Sequence, residues 1–388
     1  MCKDIVSLCI TACKNDNYAF CIDNYPYFCI RVNTRKREKL NQRIIISDNI
    51  AADLEAAIAA TEHDKTFVLT DETTVRLCCP LIKDSPNISD AAVISIAAGD
   101  EHKDTASLMH VWQELSSRGA TRHSLIVNLG GGMVTDLGGF AASTFKRGVT
   151  FINVPTTLLA MVDASVGGKT GVNFNGLKNE IGVFNDAKYV IVSTQFLKTL
   201  DTDNIVSGYA EMLKYGLISD VATWRELVGF DLCHPDLRQL QTMVARSVEV
   251  KEYIVNIDPR EKGIRKALNF GHTVGHALES LSLRRKRPVL HGCAVAAGMV
   301  CELYMSVIKT AFPTDIMQQT VAFIRDNYEH IDFDCNDYDE LQELMTHDKK
   351  NVSGVINFTL LAGIGDVKIN QRASRDDIFA ALDFYREG

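Results

Sequence analysis

Four absences narrow the reading of this sequence. It has no apolar run long enough to cross a bilayer, no excess of positive charge, no CxxC pair, and no internal repeat or low-complexity tract. The first predicts no membrane partner. With 41 Lys and Arg against 49 Asp and Glu, the net charge is −8, which argues against a general nucleic-acid binder. Any anion site must therefore be built locally from a few placed cations. There are eleven cysteines, but Cys2, Cys9, Cys13, Cys21 and Cys29 lie in the first 29 residues and the rest are scattered. No basic-then-apolar signal segment precedes them, so a reduced, cytoplasmic protein is expected.

What is present is ordinary in bulk: 388 residues, 46% hydrophobic and 23% charged, enough for two domains with buried cores. Residues 1–42 show no clear helical or strand period and are expected to form a poorly ordered N-terminal extension, or translation from an upstream start codon. From Arg43 the pattern becomes regular. "RIIIS", "TFVLT", "AVISIAA", "SLIVNLG", "TFINVP" and "YVIVS" are short β-branched runs separated by segments able to form helices. That alternation predicts a Rossmann-like α/β domain with a largely parallel sheet over 43–200. After residue 200 the apolar spacing becomes three and four, as in "NIVSGYAEMLKYGLI", "DLRQLQTMVARSVEVKEYIV" and "HGCAVAAGMVCELYMSVI". A mainly α-helical C-terminal domain over 201–388 follows, with "GVINFTLLAGIGDVKI" as a hairpin near its end and the active site in a cleft between the domains.

Several stretches carry chemistry. "GGGMVTD" (130–136) follows a strand and opens a helix, where glycines admit a phosphate to the helix amino end. It is not a full G-x-G-x-x-G, because Thr135 stands at the third glycine, and Asp136 either contacts a cofactor or simply lies in the first turns. "PTTLLAMVDASVGGKTGVNFNGLKNEIG" (155–182) sets Asp163, Lys169, Asn173, Lys178 and Asn179 in an apolar, glycine-broken stretch, the composition of a site lining rather than a solvated loop. Glu211 and Lys214 in "YAEMLKYG" read, on their own, as a surface ion pair. "KEYIVNIDPREKGIRKALNFGHT" brings Lys251, Arg265 and Asn269 towards one helix start, or is a charged loop. His272 and His276 in "GHTVGHALES" share a helical face, and His291 opens the next helix. Two imidazoles and a carboxylate would make a three-ligand zinc site with an open position. Spacing alone identifies neither the carboxylate nor the histidine that stays out.

Together these stretches resemble the 3-dehydroquinate synthase family, within the sugar-phosphate cyclases. The resemblance runs from about Arg43 to the C-terminus and is dense in "GGGMVTDLGGFAASTFKRGVTFINVPTTLLAMVDASVGGKTGVN", "KNEIGVF", "GYAEMLKYGLI", "ALNFGHTVGHALE", "LHGCAVAAGM" and "DKKN...INFTLLAGIGD". It implies conversion of 3-deoxy-D-arabino-heptulosonate 7-phosphate to 3-dehydroquinate and phosphate, with NAD taking a hydride and returning it in one turnover. Oxidation of one hydroxyl acidifies the neighbouring C–H and permits phosphate elimination; reduction, ring opening and an aldol closure follow. The metal implied is zinc, with cobalt or another divalent ion an alternative.

The resemblance also implies site residues. Glu211, His272 and His291 match metal ligands. Asp100, Lys103, Gly131, Gly132, Asp136, Thr156 and Thr157 match NAD-contacting positions, and Asp163, Lys169, Lys178, Asn179, Phe196 and Thr199 match positions around cofactor and substrate. Lys169, Asn179, Asn269 and Lys349 (or Lys350) match substrate-binding positions. Lys214, Lys251, Arg265 and His276 match positions around the substrate's hydroxyls and carboxylate, and with Lys169 and Asn269 make up the catalytic set. Arg147 matches an arginine supplied across a homodimer interface. The rivals are a cyclase of sedoheptulose 7-phosphate, a metal-dependent polyol or glycerol-phosphate dehydrogenase, and a silent scaffold. The first is disfavoured because Lys251 and Arg265 form the cationic pair a carboxylate needs.

Overall fold

A computed structural model describes residues 42–175, 177–346 and 356–388, and the backbone of 19–22 and 25–31. Contacts divide it into two compact units. The first comprises Leu40–Glu211 and Cys233–Glu252; the second comprises Met212–Leu232 and Tyr253–Gly388, with the N-terminal strand pair. That pair, β1 (Ala19–Ile22) and β2 (Tyr25–Arg31), is antiparallel and lies where no strand period could be read.

The first unit is built on six parallel strands: β3 (Arg43–Ile46), β4 (Thr66–Asp71), β5 (Ala92–Ile96), β6 (Leu125–Gly130), β7 (Thr150–Pro155) and β10 (Tyr189–Val192). These are the six β-branched runs of the sequence. Their spatial order is β3-β10-β7-β6-β4-β5. Every residue of β6 and β10 is buried, as expected for strands covered on both faces, which read as unbroken apolar runs. From β4 the chain steps outward to β5, then returns past β4 and builds β6, β7 and β10 in the other direction. The strand order thus reverses between β4 and β6, and ligands of open α/β sheets bind at the carboxyl ends beside such a reversal. The glycine turn Gly130–Gly132 leaves β6 at that end.

An antiparallel hairpin, β8 (Lys169–Phe174) and β9 (Leu177–Phe184), stands outside the main sheet. Helix Gly132–Thr144 packs against it closely: a Cβ on Gly139 would stand 2.5 Å from Thr170 Cγ2, and one on Gly138 would overlap Asn128 Oδ1 of β6. The packing glycine that Thr135 displaces from the expected motif is thus replaced one turn further along. Helix Leu237–Ile257 was expected with the helical domain, yet its first part belongs to the sheet unit. Gln241 Nε2 donates to Asp48 Oδ1 at 2.7 Å, and Thr194 Oγ1 donates to Gln241 Oε1 at 2.8 Å.

The second unit is helical, with the expected hairpin of β11 (Phe358–Gly363) and β12 (Asp366–Gln371) followed by helix Arg375–Glu387. At its heart helices His272–Arg284 and His291–Thr310 cross. Gly271 has φ +79°, a left-handed conformation that glycine adopts without cost. Cβ atoms on Gly275 or Gly298 would collide with the opposite backbone, the latter with Gly271 O and, at 2.6 Å, Gly275 N. The expectation about apolar runs needs correction here. His291–Thr310 is long and apolar enough to cross a membrane by length and composition, but 72% of its most apolar window is buried inside the protein. Its apolarity serves the core.

The glycine contact gives a direct test. Gly298→Ala should force the two helices apart and lower unfolding stability by about 3 kcal/mol, the upper range for overpacking. Chemical denaturation of the variant against wild type would measure it.

Candidate functional site

In the first unit the site elements gather around the glycine turn. Helix Gly132–Thr144 begins after Gly131 with no side-chain cap, so its first N–H groups and the positive end of its dipole are available to an anion. A Cβ on Gly131 would stand 3.0 Å from Thr157 Cγ2, so this turn and the Thr156–Thr157 turn after β7 run side by side, tied by Thr156 N donating to Gly130 O at 2.9 Å. Asp136 does more than fill a helical turn. Lys103, itself 4% exposed, donates to its carboxylate at 2.5 Å. Burial raises the Asp136 pKa above the ordinary value, while the Lys103 ammonium opposes that shift.

The turn bearing Asp100 and Lys103 is joined to the β8–β9 hairpin. Asn173 N donates to Lys103 O at 2.7 Å and Asn173 Nδ2 to Asp100 O at 3.1 Å. Lys178 reaches Asp100 Oδ2 at 3.1 Å, an exposed pair of little energetic weight. Asn179 N donates to Asn173 Oδ1 at 2.9 Å, and Asn179 has φ +51°. Lys169 starts β8 with its side chain exposed. Lys251, 5% exposed, donates to Asp163 Oδ1 at 2.5 Å and also to the Asp163 backbone carbonyl. Phe196 is wholly buried, and Thr199 Oγ1 bonds back to its carbonyl at 2.7 Å, so these two belong to the core and its edge. Arg147 is exposed, in a left-handed turn at φ +71°.

Glu211 and Lys214 lie on helix Thr202–Ser219 and are 0% and 1% exposed. The surface ion pair their spacing suggested is excluded. Lys214 Nζ lies 4.9 Å from the centroid of the Tyr215 ring, a cation–π contact that partly offsets burial of an ammonium.

In the second unit three imidazoles converge. His272 and His276 lie one turn apart and His291 opens the next helix; ring centroids are 5.3 to 5.7 Å apart, and one ligand nitrogen of each lies within 4.8 Å of the others. The spacing suggested a pair with a third nearby, and the fold assembles all three. His272 Nδ1 is 3.0 Å from Phe270 O. A carbonyl only accepts, so Nδ1 is the donor in this contact. His291 Nδ1 is 3.4 Å from the Glu279 carboxylate, which likewise makes Nδ1 the donor. In its neutral form each of these imidazoles presents Nε2 as the ligand atom, and with the three rings converging the residues fit a divalent metal.

Ahead of this cluster in the chain, the loop "DPREKG" is an ordered turn. Asp258 accepts from Lys262 N at 2.9 Å, Gly263 N at 2.6 Å and Arg265 N at 3.1 Å. Arg265, 2% exposed, donates through Nη1 to Pro259 O at 2.6 Å, and Asn269 Nδ2 donates to Glu261 Oε1 at 2.7 Å. Four carboxylates bonded to the segments that carry the candidate residues escaped the sequence reading: Asp258, Glu261, Glu279 and Glu302. The Asp-Pro step was a legible turn signal, and Glu302 is a lone carboxylate in an apolar helix. Lys349 and Lys350 lie outside the described residues.

The architecture is shared with two solved synthases. One is a 2-deoxy-scyllo-inosose synthase complexed with carbaglucose-6-phosphate, NAD+ and Co2+ (TM-score 0.78, 23% identity, 92% of this chain and 100% of that one). The other is 2-epi-5-epi-valiolone synthase from Streptomyces hygroscopicus subsp. jinggangensis with NAD+ and Zn2+ bound (TM-score 0.78, 23% identity, 92% and 99%). At such identities the likeness defines the fold class. The sequence comparison goes further. Residues 93–207 match the N-terminal and 208–351 the C-terminal family model of 3-dehydroquinate synthase. A 3-dehydroquinate synthase of Parabacteroides distasonis is 53% identical over 346 residues, 89% of this chain and 98% of that protein. The chain belongs to the 3-dehydroquinate synthase family.

The Asp258 turn predicts an acid sensitivity. Burial opposes ionisation of Asp258, but the backbone donors of Lys262, Gly263 and Arg265 outweigh it and hold its pKa below the ordinary 3.8. A depressed carboxylate stabilises the fold above its unfolded pKa, and that contribution is lost as pH falls through the folded value. Asp258→Asn should therefore cost about 1 kcal/mol at neutral pH through weakened hydrogen bonds. Denaturation midpoints of the two proteins should converge as the medium is acidified below pH 3.8.

Proposed function

We propose that this chain converts 3-deoxy-D-arabino-heptulosonate 7-phosphate to 3-dehydroquinate and phosphate, the second step of the shikimate pathway. The observation that carries this reading is the 53% identity, across almost the full length, with a protein named 3-dehydroquinate synthase. Bound NAD would supply hydride acceptance and return, and a bound divalent ion, zinc or cobalt, would polarise the hydroxyl being oxidised.

The chain's own residues then have distinct tasks. The uncapped helix start at Gly131–Gly132, with Thr156 and Thr157, receives the dinucleotide's phosphates, and the Lys103–Asp136 pair holds the neighbouring turn with Asp100. Asp163, Lys178, Phe196 and Thr199 complete the cofactor side, Phe196 and Thr199 as its support from the core. His272 and His291 would hold the metal, with Glu211 as the carboxylate ligand. His276 faces the substrate and moves a proton at its hydroxyls, assisted by Lys214. Lys251 and Arg265 bind the substrate carboxylate, while Lys169, Asn179, Asn269 and Lys349 hold its phosphate end. The elimination proton passes to the substrate's own phosphate, so the enzyme's part in that step is orientation. Arg147, from the second copy in a homodimer, adds a further cation to the phosphate. A cytoplasmic location is supported by the free thiols of the six cysteines whose side chains are described.

Assays separate these claims. The purified protein should release phosphate from the heptulosonate phosphate without net NADH, and chelation should abolish the activity. Release from sedoheptulose 7-phosphate instead would identify a sibling cyclase, and net NADH a dehydrogenase. Among the three imidazoles, His272→Ala should lose bound zinc. His276→Ala should keep its zinc and lose activity by about 100-fold or more, the usual loss for a general acid–base group. Metal content by elemental analysis, read beside turnover, distinguishes ligand from neighbour.

A further inference from the structure

His272 and His291 share an awkward position. Each is the first residue of its helix, where the dipole end is positive and a metal cation is disfavoured. Neither helix has a side-chain cap from its own N-cap residue: the preceding positions are Gly271 and Leu290. For the His272 helix the amides are met from the opposite helix, and for His291 the opposite helix places a carboxylate against the ring. Glu302, on the His291 helix and 0% exposed, accepts from Gly271 N at 2.7 Å, Thr273 N at 3.1 Å and Val274 N at 3.3 Å. One buried carboxylate thereby engages amide groups around the amino end of the His272 helix and fixes the turn that carries His272. Glu279, on the His272 helix and 8% exposed, faces His291 Nδ1 at 3.4 Å.

We propose that Glu279 and Glu302 are a reciprocal pair of positioning carboxylates, each helix supplying the one that makes the other's leading histidine able to hold a divalent cation. Glu302 offsets the positive helix end behind His272 and locks its backbone. Glu279 orients the His291 ring and makes it a stronger donor. The backbone contact at Gly271, Gly275 and Gly298 allows both side chains to reach across. Neither glutamate touches substrate in this scheme; both act through the histidines. The inference rests on the metal reading proposed above.

The test is zinc affinity, measured on the full-length protein after chelator stripping by competition with a chromophoric zinc chelator. Glu302→Gln, Glu279→Ala and Glu279→Gln would be compared with wild type, each held well below its own metal-free melting temperature. Glu302→Gln and Glu279→Ala should bind zinc about tenfold more weakly, the lower range for partners of metal-bound histidines. Glu279→Gln, which keeps an acceptor for Nδ1–H, should recover part of the loss. Unchanged zinc affinity in Glu279→Ala and Glu302→Gln, even with a lowered melting temperature, would assign both residues to packing and overturn the proposal. Should Glu302→Gln not fold, Glu279→Ala decides alone. Wild-type protein that takes up no zinc removes the metal reading itself, a failure distinct from variants that match a zinc-binding wild type.

Discussion

Where helices His272–Arg284 and His291–Thr310 cross, Gly271, Gly275 and Gly298 leave no side chain between the two backbones. Any larger residue would separate the helix axes and carry the leading histidine of one helix away from that of the other. The same contact brings a buried glutamate from one helix to the amide groups of the other. Three requirements are met by one backbone contact: convergence of the imidazoles, burial of an apolar helix, and satisfaction of a helix start that has no cap of its own. The rest of the second unit is arranged around it. Ser306, one turn beyond Glu302, accepts from Leu361 N at 3.0 Å and so ties the β11–β12 hairpin to the same helix.

The sheet unit works on a different principle. There, one helix start carries no side-chain cap, and glycines bring a second turn beside it. Its cations are also managed differently. Lys103 and Lys251 are nearly buried and each is matched to a carboxylate, Asp136 and Asp163. A protein with a net charge of −8 thus holds its buried cations beside carboxylates, which offsets the cost of taking them out of water.

Much of this was legible in the sequence, for physical reasons. The four inner strands β10, β7, β6 and β4 could be read because parallel strands buried on both faces are continuous apolar, β-branched runs, and the edge strands β3 and β5 keep enough of that composition to be read with them. The histidine helix could be read because His272 and His276 have helical spacing after a glycine. Other features could not be read, because they depend on contacts between segments distant in sequence. Glu211 and Lys214 have the spacing of a surface pair, and only the fold shows that they are buried. Glu302 caps a helix that begins thirty-odd residues earlier, which no local pattern signals. The first part of Leu237–Ile257 joins the sheet unit through Gln241, a polar residue on an amphipathic helix whose partners are Asp48 and Thr194. Apolar length misled in the other direction: His291–Thr310 has the composition of a span and the surroundings of a core helix.

The strand order has a consequence for how the chain comes together. β3 pairs only with β10 in the sheet, Arg43 opposite Tyr189, so the sheet's first strand in chain order must wait for its last. Until β10 is made, β3 has no neighbour and β7 presents an open edge. Closing so long a loop late in synthesis is entropically slow. The crossed helices of the second unit, by contrast, are neighbours in sequence and can pair as soon as both exist. Assembly of the sheet therefore depends on an early strand held in waiting, and its β7 edge is the place where a half-made chain is most open to wrong partners.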